Sequence, residues 1–463
     1  MILLYQFFAI AFAKIYVHTP DSLKEQIKNK YNTNIIPSSL ANFGNPPYGS
    51  SIISHPYWPE NEKEKNGCKS LTHPKYSDEN HKPNHYVTIL KIGQCSYATK
   101  VRNAQNIGAS AVIMINDSDE DISHILMIDD GTAGNISIPS FLISKSDGEI
   151  LLNSMTELDS TDIVLILKFE MNHPSNKVEW EMWMSSESTA TREFLVDFSQ
   201  YGKMFDLDSA IMTPHYVLWV CTDCQDKNFT VDHPDCVGGG RYCAPDPDFE
   251  GPRNGRDIVF EDLRQICIYN LGRRIGRLDI WWNYIKEFNR LCEDFDFTEK
   301  CAGKAMKKAK IDTADINYCI QSSFANSNYA LAENSILLKE KKRFLQAGIS
   351  FYPTIIINNQ TFRGDLEADE VLNAICAGFQ TPPLVCPSHH NPQHNHKYHR
   401  KSHDKMSLST ISIILLLLFI SLSLLLFFYK RCIRRELNIE MKSQVNSVIS
   451  QYIALTETNY SKE

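Results

Sequence analysis

The sequence predicts a mixed α/β protein in two units, carried on a single transmembrane helix. Three observations lead there. Short β-branched apolar runs alternate with stretches of helical spacing through residues 14–386, the pattern of sheets flanked by helices. Twelve of the thirteen cysteines precede residue 387. Beyond them lies one long apolar segment, 407–429, whose centre from Ile413 to Ile420 carries no charge. About 20 apolar residues at 1.5 Å rise span a hydrocarbon core of about 30 Å. Their backbone groups must pair within the segment, so it is expected to be a helix.

The amino terminus sets the expected topology. Residues 1–13 form a short apolar run ending in Ala11-x-Ala13, a small-x-small cleavage pattern on a stretch too short to span. A cleaved signal peptide places residues 14–406 in the lumen and 430–463 in the cytosol. Lys430, Arg431, Arg434 and Arg435 flank the apolar segment on one side, and Arg400, Lys401 and Lys405 on the other, so basic residues alone do not orient it. The luminal length suits two domains, 14–174 and 175–386.

Cys68, Cys95, Cys221, Cys224, Cys236, Cys243, Cys267, Cys292, Cys301, Cys319, Cys376 and Cys386 form an even set, compatible with six disulfides in an oxidising compartment. Cys68 and Cys95 are the only two in the first domain and are expected to pair. Cys432 falls just inside the membrane, where S-palmitoylation is expected. The sequons at Asn116, Asn135, Asn228 and Asn359 are candidate glycan sites. A formal net charge of −8 argues against a general nucleic-acid binder. No G-x-S-x-G, H-E-x-x-H or phosphate-cradling glycine loop occurs, so neither a catalytic centre, a metal site nor a cofactor is predicted.

In order along the first domain, Val87–Leu90, Ala111–Ile115 and Ile163–Leu167 read as buried strands, and Tyr97–Ile107 as a helix ending at Gly108. Asn135–Ser144 reads as a strand entered through Pro139. After the linker His173–Asn176 come a strand at Val178–Trp183, a helix at Thr191–Phe205 and a strand at Tyr216–Val220 running into Cys221-x-x-Cys224. A helical region follows from Arg256 to Ala347, then a hairpin with Asn358-Asn359 at its turn, and a last helix over Ala368–Phe379. The stalk, 387–406, holds His389, His390, His394, His396, His399 and His403, which gain charge on acidification. His55, His85 and His215 are further candidate pH sensors.

These motifs resemble known modules. Asn42-Phe43-Gly44-x-Pro46-x-Tyr48-Gly49, Gly67-Cys68-Lys69-Ser70, Asn103-Ala104-Gln105 and Ile136-x-Ile138-Pro139-Ser140 resemble a protease-associated domain, a non-catalytic ligand-binding or lid module. The strand, helix, CxxC, helical insertion and Pro353-Thr354 hairpin resemble a thioredoxin-like domain, which implies a cis Pro353. Thr213-Pro214-His215-Tyr216, Gly240–Pro247, Trp281-Trp282-x-Tyr284 and Ile449-x-Gln451-Tyr452-x-x-Leu455 resemble plant vacuolar sorting receptors. That resemblance implies a cargo receptor rather than an enzyme, with structural central cysteines. Two departures stand out. Cys386 leads straight into the stalk, without the family's epidermal-growth-factor-like repeats and the calcium regulation they carry. The family's Arg-Gly-x-Cys-x-Phe ligand loop reads Ile92-Gly93-Gln94-Cys95-Ser96-Tyr97 here, so a guanidinium contact to cargo is not expected.

The expected function is sorting of soluble luminal cargo from Golgi membranes to an endosomal, vacuolar or lysosomal compartment. Gly93, Gln94, Cys95, Ser96 and Tyr97 are the candidate cargo residues. Tyr452 and Leu455, a tyrosine with an apolar residue three positions on, are the candidate contacts for clathrin-adaptor subunits, which grip such a strand with one pocket per side chain. The alternative is a membrane-anchored thiol–disulfide oxidoreductase, with Cys221 attacking and Cys224 resolving.

Overall fold

The computed structural model describes residues 13–75, 83–158, 161–205, 209–222, 224, 231–248, 251–292, 296–349 and 351–387. Residues 1–12 of the signal segment, Asn228, the apolar segment 407–429, the histidine stalk, Tyr452 and Leu455 lie outside the described residues, while Ala13, the last residue of that segment, pairs with Phe169 at the start of the first strand. Among the described residues no helix is long and apolar enough to cross a membrane.

The first domain comprises β1 (Ala13–Thr19), α1 (Asp21–Tyr31), β2 (Ile35–Ile36), β3 (Ser39–Leu40), β4 (Ser51–Tyr57), β5 (Tyr86–Lys91), α2 (Tyr97–Asn106), β6 (Ala111–Ile115), β7 (Ser140–Ile143), α3 (Lys145–Glu157) and β8 (Val164–Phe169). Its eight strands lie in the order β2-β1-β8-β4-β5-β6-β7-β3. β5, β6 and β7 run parallel to one another. All of β6 is buried, because helices cover both faces of a parallel sheet. By contrast β8, antiparallel to β1 and β4, alternates buried with half-buried residues. The expected strand Asn135–Ser144 is shorter than its apolar pattern: only Ser140–Ile143 joins the ladder against β6.

The second domain comprises β9 (Val178–Met184), α4 (Thr189–Gly202), β10 (Ala210–Tyr216), β11 (Cys236–Val237), β12 (Tyr242–Cys243), α5 (Gly255–Arg274), α6 (Asp279–Leu291), α7 (Glu299–Lys308), α8 (Thr313–Ser323), α9 (Ser335–Ala347), β13 (Thr354–Ile357), β14 (Gln360–Thr361) and α10 (Ala368–Ala377). Its main sheet orders as β10-β9-β13-β14, with β10 parallel and β13 antiparallel to β9. Tyr352–Pro353 is cis. α5 starts with a capping box between Asn254 and Asp257, which satisfies two orphan backbone donors, and it is buried on nearly every side.

The strand expected over Tyr216–Val220 is corrected. The ladder starts six residues earlier and runs through Ala210–Tyr216, and it stops because β9 ends at Met184: Val217 N–H makes the closing bond to Met184 O at 2.8 Å. Trp219 then forms only an isolated bridge to Cys243.

The β13–β14 turn joins the two domains. Asn358 and Asn359 take the left-handed region at φ 48° and 61°, which asparagine tolerates better than most residues. Asn358 Nδ2 donates to Asn172 O at 2.6 Å and to Gly378 O at 2.9 Å. Gln360 Nε2 donates to Glu170 O, and its Oε1 accepts from Asn172 N–H. Further along, Tyr48 OH donates to Arg363 O at 2.9 Å and its ring meets Phe362. Asp365 Oδ1 accepts from Gly44 N–H at 3.1 Å while Asp365 N–H returns a bond to Gly44 O. Burial, with Glu367, Asp129 and Glu370 nearby, pushes the Asp365 carboxyl up to about 7.

Candidate ligand site

The candidate cleft forms where β5 ends. After Lys91 the chain turns through Gly93 at φ +87° and Gln94 at φ +68°, and Ser96 then caps α2 by accepting Thr99 N–H at 3.3 Å. A left-handed glutamine is sterically disfavoured and persists only where its surroundings hold it. Opposite, the turn at Gly67 packs so closely that a Cβ there would stand 2.7 Å from Leu90 Cδ1. The Cys68–Cys95 disulfide ties the two loops, with Cα atoms 5.7 Å apart, and Asn66 Nδ2 donates to Gln94 Oε1 across the same gap.

Lys100 lies beneath. It is fully buried on the inner side of α2, and its ammonium donates to Gly93 O at 2.6 Å and to Asn66 O, with Cys68 Sγ at 3.5 Å. Burial pulls its pKa down to about 8. One buried cation thus holds both loops from below, and the disulfide holds them from the side.

Above them opens a cleft of about 430 Å³ lined by Glu62, Lys63, Asn66, Cys68, Lys69 and Gln94. Glu62 pairs with Lys65, and Lys65 and Lys91 lie over the Trp58 ring at 5.2 and 5.8 Å. A Cβ on Gly93 would meet nothing within 4 Å, so the loop's outer side is open. Of the sequence candidates, the structure brings Gln94 and the Cys68–Cys95 bridge to the cleft. Ser96 is used as a helix cap, and Tyr97 packs against the apolar cluster around α2. Asn66, Lys63, Lys69 and Lys100 were missed by sequence reasoning; a lysine on the apolar side of a predicted helix is the signal that would have found Lys100.

The CxxC pair sits elsewhere. Cys221 and Cys224 bond to each other, and Cys236 bonds to Cys243 beside them, making one buried cluster of four. A reactive thiolate is commonly stabilised at a helix N-terminus or by a neighbouring cation. Among the described residues no helix begins at this pair, since α5 starts only at Gly255. Cys224, His233 and Cys236 approach within 4.8 Å, yet both sulfurs are held in disulfides, and a metal takes thiolates. The remaining bridges are Cys267–Cys319, Cys292–Cys301 and Cys376–Cys386.

Of the described sequons, Asn135 and Asn359 are exposed. Asn116 is buried, and its Nδ2 donates to Ser118 Oγ at 3.2 Å.

The molecule is therefore a protease-associated domain joined to a thioredoxin-like domain. Residues 56–151 match the PA domain family, and residues 178–376 match the family described as the vacuolar sorting receptor thioredoxin-like domain. Vacuolar-sorting receptor 1 of Pisum sativum is 33% identical over 79% of this chain and 60% of its own length. Vacuolar-sorting receptors 3 and 4 of Arabidopsis thaliana are each 32% identical over 76% of this chain and 58% of theirs. Across these two domains the chain is similar to vacuolar sorting receptors, and it spans about three fifths of the length of these relatives. Oxidised BdbD of Bacillus subtilis aligns at 12% identity over 44% of this chain and 89% of its own, with a TM-score of 0.28.

Proposed function

We propose that this chain is a sorting receptor of the late secretory route, without enzymatic activity, that binds soluble luminal proteins or their sorting peptides and recruits clathrin adaptors in the cytosol. The observation that carries this reading is the cleft at the Cys68–Cys95 bridge: two loops fixed by a disulfide and a buried ammonium, open above, with polar groups aimed outward. That is a pre-organised recognition surface, since a loop already ordered loses little entropy when a peptide binds. The family relation supports the same reading, as do the matched domains.

In this proposal residues 1–13 are a signal peptide, 14–174 and 175–386 the luminal domains, 387–406 a stalk, 407–429 the membrane helix and 430–463 the tail. Its place is Golgi, trans-Golgi and prevacuolar or endosomal membranes. Tyr452 fills one adaptor pocket and donates a phenolic hydrogen bond, and Leu455 fills the second.

Two measurements test it. Full-length protein captured from cells should carry soluble luminal proteins, and Gln94→Ala together with Lys69→Ala should release them while leaving folding intact; equal recovery would remove the cleft. Leu455→Ala should weaken adaptor binding by about ten- to a hundredfold, because burying a leucine contributes roughly 1.5–3 kcal/mol. Tyr452→Ala should cost at least as much and send the protein to the cell surface, whereas Tyr460→Ala should not. An unchanged location for Tyr452→Ala would remove the sorting signal.

A further inference from the structure

The second domain carries a separate cavity of about 270 Å³ between the end of α4, the start of β10 and the α5–α6 turn. Trp180 and Trp282 back it, Phe205 and Met212 line its sides, and Lys203 and Arg277 stand at its mouth. One indole lies against the backbone: a Cβ on Gly202 would stand 2.4 Å from Trp282 Cε2. Met204, next to Lys203, is 61% exposed, and Ile275, next to the lining Gly276, is 52% exposed.

The charges at the mouth are not equivalent. Arg277 donates to Asp279 from Nε at 3.0 Å and from a terminal nitrogen at 2.6 Å, so that pair is satisfied internally. Lys203 is different: among the described residues no side chain accepts a hydrogen bond from its ammonium. Partial burial, with Lys286 adding repulsion and Asp279 only partly offsetting it, holds its pKa below the usual lysine value. An aromatic-backed slot beside an ammonium that no side chain among the described residues binds is complementary to an apolar side chain with a carboxylate next to it. The volume is small for a drug-sized ligand and suits a single side chain.

We propose that this cavity is a second binding subsite, for an acidic peptide segment or chain end in which an aromatic or branched apolar residue lies beside a carboxylate. The side chain enters between Phe205, Met212 and the two indoles, and the carboxylate accepts from Lys203 Nζ. A one-residue anchor of this kind binds weakly alone; linked to a ligand held elsewhere on the receptor it multiplies affinity through effective concentration. The subsite is independent of the Cys68–Cys95 cleft and stands whether or not that cleft binds cargo.

The test uses the full-length protein in detergent with N-acetyl-phenylalanine and N-acetyl-phenylalanine amide as probes, read by ligand-observed magnetic resonance titration. The acid should saturate in the millimolar range and bind about tenfold more tightly than the amide, since a charge-assisted hydrogen bond is lost in the amide. Lys203→Met, a change at an exposed position, should bring the acid to the amide's level while leaving amide binding unchanged. Three results would overturn the proposal: no saturation of either probe, equal binding of acid and amide, or an acid preference that survives Lys203→Met.

Discussion

Two cysteine sites in this chain differ in what surrounds them, and the contrast explains their roles. Cys68–Cys95 joins loops 27 residues apart at the rim of an open cleft, over a buried ammonium. Cys221–Cys224 joins positions three residues apart and packs against a second bridge, with all four cysteines buried. The first bridge fixes a surface; the second fills an interior. A CxxC spacing by itself therefore says little about reactivity, because thiolate chemistry depends on the positive field and access around the sulfur.

The largest expected effect is at the cleft. In the chain-entropy account, closing a loop of about 28 residues contributes roughly 3.6 kcal/mol, against about 1.9 kcal/mol for a loop of about 4. Cys68→Ser should lower the unfolding temperature clearly, speed amide exchange at residues 92–95 and hold the protein in early secretory membranes. Normal export, or a free thiol at Cys95 in the unmutated protein, would break the comparison from that side.

Replacing Cys221 and Cys224 together by serine should cost about half as much in a thermal melt and leave cargo capture intact. Measurable disulfide exchange with a reduced peptide, lost in this double variant, would restore the oxidoreductase reading and break the comparison from the other side.

A smaller, pH-dependent effect is expected at the seam between the domains. Asp365 has its folded-state pKa raised to about 7, above the ordinary aspartate value near 3.9. The folded protein therefore holds this proton at pH values where the unfolded chain has released it, so stability rises as pH falls from about 7 towards 4. Asp365→Asn is neutral throughout and keeps an oxygen for Gly44 N–H. It should flatten part of that rise in melts between pH 7.5 and 5; Glu370, also raised to about 7, leaves a remainder. A slope unchanged by the substitution would show that Asp365 does not titrate there.

The subtlest change sharpens the contrast. Lys100→Met keeps the buried stem but strips the donor from Gly93 O and Asn66 O. Buried acceptors left unmatched cost about 1–3 kcal/mol, and here the loss should appear locally, as faster exchange at Gln94 and Cys95 and weaker cargo capture. Unaltered exchange there would mean the disulfide alone holds the loops.

Local signals were the legible ones. The Asn358-Asn359 turn, the helix following Ser96 and the buried run of β6 are each encoded within a dozen neighbouring residues, where periodicity and turn chemistry operate. The end of β10 was not legible, since it is set by where its partner β9 stops. Gln94 and the Cys68–Cys95 bridge were singled out from the chain, but Asn66 and Lys63 approach from roughly 30 residues away and carry no motif of their own, and Lys69 stood only as a family-motif residue, not as a ligand candidate. Lys100 was not singled out, because sequence does not reveal two carbonyls waiting beneath a loop. The seam is the extreme case: Tyr48 and Arg363 are 315 residues apart.

That seam has a mechanical consequence. The β13–β14 hairpin reaches into the first domain with paired amide bonds from Asn358 and Gln360, and Tyr48, Phe362 and Asp365 extend the contact. No free linker separates the two sheets, so a pull on the cleft travels through a hydrogen-bonded hinge plate into the second sheet rather than being absorbed by slack. In rotational diffusion the pair, residues 14–386, should tumble with a single correlation time, as one particle instead of two beads on a string.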